Sequence, residues 1–275
     1  MGILYIVPTP IGNLEDITLR ALRILREVKL IAAEDTRTSR ILLQHYDITT
    51  PLTSYHEHNK LTKLDAIFET LAGGDVALIS DAGTPGISDP GYELISEAIG
   101  RGYRVEPLPG ANAVITALVG SGLPTDSFLY LGFLPRKSAA LQTFLHAAAE
   151  QPHTLIAYES PNRLTATLKM LLQTFGDRPV CVARELSKKF EEFQRGTVSE
   201  VLAHFEANAP RGEITLVIAG APPQEQTIWS EEQIRAALFD RLEQGDSLNS
   251  AAKAIATESG WDKRAVYAFG INWKK

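Results

Sequence analysis

The chain is expected to adopt an α/β fold, and three features carry that expectation. Short apolar runs recur along it: Val76-Ala77-Leu78-Ile79, Thr154-Leu155-Ile156-Ala157-Tyr158, Val180-Cys181-Val182-Ala183 and Ile214-Thr215-Leu216-Val217-Ile218. They are continuous rather than alternating, the pattern of strands buried on both faces. Between them lie stretches with a 3.6-residue apolar period, and repeated strand-helix alternation gives a layered α/β architecture. Composition agrees: 275 residues, 44% apolar and 22% charged, can bury a large core and suggest two domains.

Taken in order, Ile3-Leu4-Tyr5-Ile6-Val7 reads as the first strand. After Asp16, residues Ile17, Ala21, Ile24 and Val28 share one helical face, while Arg20, Arg23 and Arg26 fall on a solvated one. Asp35 is placed to cap a helix beginning near Thr36. The strand 76–79 runs into a loop dense in small and polar residues, 80–91, and then into a helix carrying Leu94 and Ile95. Gly120-Ser121-Gly122-Leu123-Pro124 joins a first α/β domain, 1–119, to a second, 120–222. In the second, Ser160 and Pro161 start a helix, Leu164, Leu168 and Leu171 face inward, and Gly176 stops it.

Ala221-Pro222-Pro223-Gln224 closes the last strand, and 223–275 reads as a small helical domain for RNA contact. Ser230-Glu231-Glu232-Gln233 is a capping box, with Trp229 and Ile234 as a hydrophobic staple and Leu238 and Leu242 continuing the inward face. Two further helices, near 247–258 and 262–269 and separated by Gly260, complete a helix-turn-helix spacing.

Several function classes are excluded or narrowed. No apolar run approaches the roughly 18 residues that span a bilayer, and Met1 leads into a strand without a basic leader, so a cytoplasmic protein with no membrane partner is expected. Cys181 is alone, which removes disulfide frameworks and multi-cysteine zinc motifs and suggests a buried structural thiol. With 27 basic and 33 acidic residues the net charge is −6, so any RNA contact must come from local clusters. Those are Arg136-Lys137; Arg184 with Lys188, Lys189 and Arg195; and Lys263-Arg264 with Lys274-Lys275. From Asp262 to Lys275 four cations stand against one anion, a local +3. Tyr267 and Trp273 there either pack in the helical bundle or stack on bases. His56-Glu57-His58 lacks a third ligand at a recognisable spacing, so no metal is expected, and these residues read as cleft or loop.

The loop Ser80-Asp81-Ala82-Gly83-Thr84-Pro85-Gly86-Ile87-Ser88-Asp89-Pro90-Gly91 is the densest chemical signal. Beyond the carboxyl end of a parallel strand it offers close backbone approach together with hydroxyl and carboxylate partners. It matches neither G-x-G-x-x-G nor G-x-x-x-x-G-K-[ST], which disfavours dinucleotides and nucleoside triphosphates. The alternative is a pair of tight turns with Asp89 as a helix cap.

Taken together, Leu4 to Thr18, Ala33-Glu34-Asp35-Thr36-Arg37-Thr38, Ser54 to Asn59, the 80–91 loop, Leu108-Pro109-Gly110-Ala111-Asn112-Ala113, Tyr158-Glu159-Ser160-Pro161 and Ala183 to Glu192 carry a resemblance over nearly the whole chain. The sequence resembles the tetrapyrrole methylase superfamily of S-adenosylmethionine-dependent methyltransferases, in its branch that modifies ribosomal RNA. Its first motif, Pro8-Thr9-Pro10-Ile11-Gly12-Asn13, departs from the commoner G-A-G-P-G-D form, which argues against a corrinoid substrate. The resemblance implies two α/β domains with S-adenosyl-L-methionine folded into the cleft between them, and a homodimer. It implies as reaction the methylation of a ribose 2′-hydroxyl, on a decoding-centre cytidine of 16S rRNA in the small ribosomal subunit.

The same resemblance implies cofactor contacts at Pro10, Ile11, Gly83, Thr84, Ile87, Asn112, Ala113, Tyr158 and Ala183. A neutral ribose hydroxyl is a poor nucleophile, so a positioned base, or a cation that stabilises the developing alkoxide, is expected. Glu34, Asp35, Arg37, Glu159, Arg184, Glu185 and Lys188 are the candidates, with Arg37 and Lys188 foremost. A small-molecule methylase would not need the helical tail, and a non-catalytic RNA-binding module would tolerate loss of the 80–91 loop.

Overall fold

A computed structural model describes residues 2–56, 60–222 and 229–271. Among these, two five-stranded sheets carry helices on both faces. In the first, β4 (Val76–Ile79) is central; β1 (Ile3–Ile6) and β2 (Leu30–Ala33) flank it, with β5 (Arg104–Pro107) at the edge beyond β1 and β3 (Leu52–Ser54) at the edge beyond β2. Every pairing is parallel. Buried side chains of α1 (Leu19–Glu27) and α2 (Thr36–His45) pack in one cluster with Val7, Ile31 and Ile79. Those of α3 (Lys60–Gly73) and α4 (Tyr92–Gly100) pack in another with Leu4, Ala32 and Leu78. Alternate residues of each strand serve the two clusters, which is why the runs are continuous.

Local chemistry sets the helix starts. Thr18 caps α1 by accepting the Ala21 amide at 3.0 Å, so Ile17 precedes the helix although it joins the same cluster. Arg20, Arg23 and Arg26 are solvated, as the periodicity requires; Arg23 pairs with Glu27 at 2.7 Å and Arg20 with Glu106.

The second sheet runs β6-β7-β10-β8-β9, from β6 (Phe128–Phe133), β7 (Thr154–Glu159), β8 (Pro179–Arg184), β9 (Glu192–Thr197) and β10 (Ile214–Ile218). Only β6 and β7 are parallel; β10 is antiparallel to β7 and β8, and β8 to β9. Its continuous apolar runs therefore report coverage of both faces, not strand direction. One face meets α6 (Ser138–Ala148), α7 (Pro161–Phe175) and α8 (Val198–Ala207). The other meets α5 (Ala113–Ser121), whose Val114, Ala117 and Leu118 pack with Ile156, Cys181 and Val217.

That packing changes the domain picture drawn from sequence. The boundary at 119 and 120 falls inside α5, a helix that serves the second sheet's core, and Gly122, left-handed at φ 79°, ends it. Residues Met1–Ala221 form one compact unit containing both sheets.

Pro222–Lys275 is a separate unit. It holds α9 (Glu231–Glu243), α10 (Leu248–Ser259) and α11 (Lys263–Gly270) around Ile234, Leu238, Ala251, Ile255 and Val266. The Ser230–Gln233 capping box forms, Trp229 joins the core with Ile234, and the Trp261 indole donates to the Trp229 carbonyl at 2.8 Å. Gln224, Trp273, Lys274 and Lys275 lie outside the described residues, as do Glu57 and His58. No described helix is long and apolar enough to cross a membrane.

Candidate functional site

The loops at the carboxyl ends of β1 and β4 are tied to each other first. Thr9 and Gly83 exchange backbone hydrogen bonds at 2.9 Å, and the Thr9 hydroxyl donates to the Ser80 carbonyl at 3.0 Å. Gly83 sits at φ 78°, where a side chain would be strained. The Thr84 hydroxyl donates to the Ala111 carbonyl at 3.2 Å and accepts from the Asn112 amide at 3.3 Å, while Asn112 Oδ1 caps α5 by accepting from the Val114 and Ile115 amides. Asp89 is not the cap that a tight-turn reading gives it: Gly91, at φ 148°, holds the N-cap position of α4.

Two left-handed serines then clasp the sheets together. Ser88, at φ 62° in the loop after β4, has its hydroxyl 2.6 Å from the Tyr130 hydroxyl on β6. Ser187, at φ 63° in the loop after β8, donates to Asp16 Oδ2 at 2.5 Å near the start of α1. Beside the second clasp, Lys188 Nζ donates to Glu185 Oε1 and Glu213 Oε2, each at 3.0 Å. A Cβ built on Gly12 would stand 2.5 Å from Lys188 Cγ and 2.8 Å from the Leu186 carbonyl, so the two loops meet in close contact there.

Between the clasps lies a cavity of about 410 Å³. Of the residues that the resemblance implies for cofactor contact, Ile11, Gly83, Thr84, Ile87, Asn112, Ala113 and Tyr158 are on its wall. Pro10 is buried behind the first loop, and Ala183 is fully buried in mid-β8 with Val114 and Leu118; neither reaches the wall. Phe133, Leu186, Gly212, Ile214 and Thr215 complete it from the second sheet's side. Phe133 and Tyr158 are in ring contact at 5.3 Å, Tyr130 and Tyr158 at 5.5 Å.

Charge distinguishes this cavity. Glu34, Asp81, Asp89, Glu159 and Glu213 line it, and no lysine, arginine or histidine does so among the described residues. Burial, then the nearby carboxylates of Glu34 and Asp81, pushes the Asp89 carboxyl up to about 7, partly offset by a hydrogen bond from Ser80. Burial also raises Glu34 and Asp81, which are linked by an Asp81 amide donating to Glu34 Oε2 at 3.3 Å. Two of the five have a local countercharge: Glu159, with Arg163 at 3.2 Å and Thr167 donating at 2.6 Å, and Glu213, with Lys188 at 3.0 Å. Asp81 and Asp89 stand inside the loop singled out by sequence but were not separated from it as acids, and Glu213 carries no motif at all.

The two foremost catalytic expectations fare differently. Arg37 is exposed and folded back on Asp35, which caps α2 through the Arg37 amide at 2.8 Å and receives the Arg37 guanidinium at 2.6 Å. The guanidinium's hydrogen bond lowers Asp35 to about 2, and Arg37 is not on the cavity wall. Lys188 adjoins the wall through Glu213. Burial acts to lower its ammonium, but its hydrogen bonds to Glu185 and Glu213 win, so it stays charged and is no proton acceptor.

Of the cationic cluster expected there, Arg184 and Lys188 are ion-paired, while Lys189 and Arg195 are exposed and form no ion pair among the described residues. Arg184 pairs with Glu192 at 2.5 Å, Arg195 donates to the Gly120 carbonyl at 3.0 Å, and Lys189 lies over Phe190 at 5.7 Å. Arg136, Lys137, Lys263 and Arg264 are exposed. Burial pushes Cys181 up to about 11, as suits an inert structural thiol. No metal-binding group of His, Cys, Asp and Glu occurs among the described residues.

Known proteins with the same features are methylases. Residues 3–202 match the family described as Tetrapyrrole (Corrin/Porphyrin) Methylases. A "Ribosomal RNA small subunit methyltransferase I" from Synechocystis sp. is 47% identical over 273 residues, covering 98% of each chain. One of the same name from Bacillus subtilis is 44% identical, over 97% of this chain and 93% of its own. Among solved structures, a cobalt precorrin-4 methyltransferase superposes with a TM-score of 0.61 at 17% identity, covering 79% of this chain and 94% of its own. A uroporphyrin-III C-methyltransferase from Thermus thermophilus does so at 0.55 and 21%, covering 80% and 96%. The structural likenesses cover about four fifths of this chain, and the sequence likeness nearly all of it. The chain belongs to the tetrapyrrole methylase family, grouped with the ribosomal RNA small subunit methyltransferase I proteins.

Proposed function

We propose that this protein uses S-adenosyl-L-methionine to methylate 16S rRNA of the small ribosomal subunit, at the ribose 2′-hydroxyl of a decoding-centre cytidine. The observation that carries the cofactor reading is the charge of the cavity: Glu34, Asp81 and Asp89 without a cation on the described wall, beside Glu159 and Glu213 paired to Arg163 and Lys188 behind it, favour a cationic ligand and disfavour phosphate. When bound, S-adenosylmethionine supplies a methyl group on a positively charged sulfur. Ile11, Ile87, Phe133 and Tyr158 offer apolar surface for its adenosine, and the backbone at Gly83 and Asn112 permits close approach. Nucleoside triphosphates and dinucleotides bring their own negative charge into the same carboxylates.

The RNA assignment rests on the near-full-length likeness to proteins named for ribosomal RNA methylation, tail included. RNA phosphate is excluded from the cavity by its charge, so the exposed cations Arg136, Lys137, Lys263 and Arg264 are the phosphate contacts. A homodimer belongs to the same reading, and Ile115 and Val119, exposed one turn apart on α5, suit a subunit contact.

The test offers labelled S-adenosylmethionine with small subunits, naked 16S rRNA and corrin precursors, followed by nucleoside analysis. Label in a 2′-O-methylcytidine is the expected result. Label in a corrin alone would make the protein a small-molecule methylase, and no label with retained RNA binding would make it a binding module.

A further inference from the structure

Methylation of a hydroxyl releases a proton, and something in the cavity must receive it. The balance is one S–C bond broken, one O–C bond formed, and one proton lost from the oxygen. Across that exchange the ligand's sulfur loses its positive charge and becomes a neutral thioether. A group that is ionised beside a sulfonium and protonated beside a thioether would take the proton at the moment it is released.

The wall of the cavity contains one carboxylate suited to this. Asp89 stands on the loop that clasps the two sheets, one residue beyond the left-handed Ser88 bound to Tyr130. The charged and titratable groups that act on it among the described residues are Glu34 after β2, Asp81 after β4, Glu213 before β10 and the phenols of Tyr130 on β6 and Tyr158 on β7, and the Ser80 hydroxyl hydrogen-bonds to it. Lys188, which adjoins the wall through Glu213, is engaged by Glu185 and Glu213. Glu159 is committed to Arg163 and Thr167, and Lys188 is already protonated. Glu34 and Asp81 each accept a backbone amide, from Asp81 at 3.3 Å and Asp35 at 3.1 Å, whereas Asp89 has no cation beside it on the wall among the described residues, and a cationic ligand supplies one.

Resting on the methyl-donor reading above, we propose that Asp89 is the proton acceptor of the transfer, ionised by the arrival of the cationic cofactor and protonated as that charge is consumed. The proton then leaves to water when the neutral product dissociates, which returns the carboxyl to its starting environment. Burial beside two other carboxylates is what places the empty-state carboxyl near neutrality, where a change of one ligand charge alters its protonation. Asp89 also makes the site discriminate between donor and product: an ionised Asp89 favours the sulfonium form.

Calorimetric titration at pH 7 in buffers of different ionisation enthalpy reads the protons exchanged on binding, with S-adenosylmethionine and S-adenosylhomocysteine as the two probes. Both carry an amino and a carboxyl group, and the Asp89→Asn variant subtracts the protons those groups exchange, so the part of the difference lost in that variant reports on Asp89. A carboxyl partly protonated before binding is expected to release a fraction of a proton with the sulfonium and close to none with the thioether. Asp89→Asn is expected to bind both and to lose that difference. Asp89→Glu, which retains a carboxyl, is expected to restore it in part and guards against a folding defect in the first variant. In single turnover at saturating RNA and cofactor, Asp89→Asn is expected to fall by about 100-fold or more with a flattened pH profile. Equal proton release by both ligands in the wild type, or an unchanged difference in Asp89→Asn, overturns the assignment while leaving the methyl-donor reading intact. Failure of either ligand to bind overturns both.

Discussion

Asp89 illustrates how one residue's surroundings decide its chemistry, and its position also makes a prediction about stability. Its carboxyl rises from 3.8 to about 7 in the fold. Between those values the native state binds more protons than the unfolded chain, so stability contributed through Asp89 falls as pH rises across that window and stays low above it. Asp89→Asn keeps the shape and removes the charge. The variant is expected to melt above the wild type at pH 8, with the difference shrinking as pH falls toward 4, a result that a scan of melting temperature against pH checks. Lys188→Ala leaves Glu213 without its ammonium partner, and the added negative charge is expected to move the midpoint of that difference upward. The family resemblance implies Thr84 as a cofactor contact; it lies on the cavity wall, where its hydroxyl is engaged by Ala111 and Asn112. Thr84→Val is expected to cost about 1 kcal/mol of stability in urea unfolding, which locates that hydroxyl's role in holding the loop. The placement of Ala183 shows the same boundary of inference: a motif gives neighbourhood, but whether a side chain on a strand faces the ligand or the core is decided by register, and here it faces the core.

At the scale of elements, the sequence was most legible where local signals are strong. The Ser230 capping box forms, Gly176 stops its helix, and Pro161 opens that helix after Ser160, which holds the N-cap position without a side-chain capping hydrogen bond. Strand direction in the second sheet was not legible, because a run such as β10 is equally apolar in a parallel or an antiparallel sheet once helices cover both faces. Nor were the clasps, since Ser88 and Tyr130 are joined by topology and nothing in either motif announces the other. Each clasp holds an unfavourable left-handed serine by one hydrogen bond across the cavity. Tyr130→Phe removes that bond with little change of shape. It is expected to weaken S-adenosylmethionine binding severalfold while lowering stability by about 1 kcal/mol, as isothermal titration and denaturant unfolding would show. Gly12→Ala is a harsher test, because the added carbon meets the Leu186 carbonyl as well as the flexible Lys188 stem, and the first loop must move away from the second sheet's loop.

For the whole molecule, the division into Met1–Ala221 and Pro222–Lys275 separates an anionic cavity from a helical unit carrying exposed Lys263 and Arg264. Net charge of −6 makes local cation clusters the means of meeting phosphate. Neutralising Lys263 and Arg264 is expected to make the log-log salt dependence of RNA binding shallower by roughly 0.7 to 0.9 per lost contact, with calorimetric affinity for S-adenosylmethionine unchanged. An unaltered salt slope would assign the tail a structural role. The central claim is that the methyl donor occupies the cavity between the two sheets. Amide hydrogen exchange of the full chain, with and without S-adenosylmethionine, tests it most directly. The expected result is slowed exchange at 81–91, 112–115, 158–161 and 212–215 with the helices α9 to α11 unaffected. Protection confined to other segments, with those four exchanging as in the free protein, would contradict it.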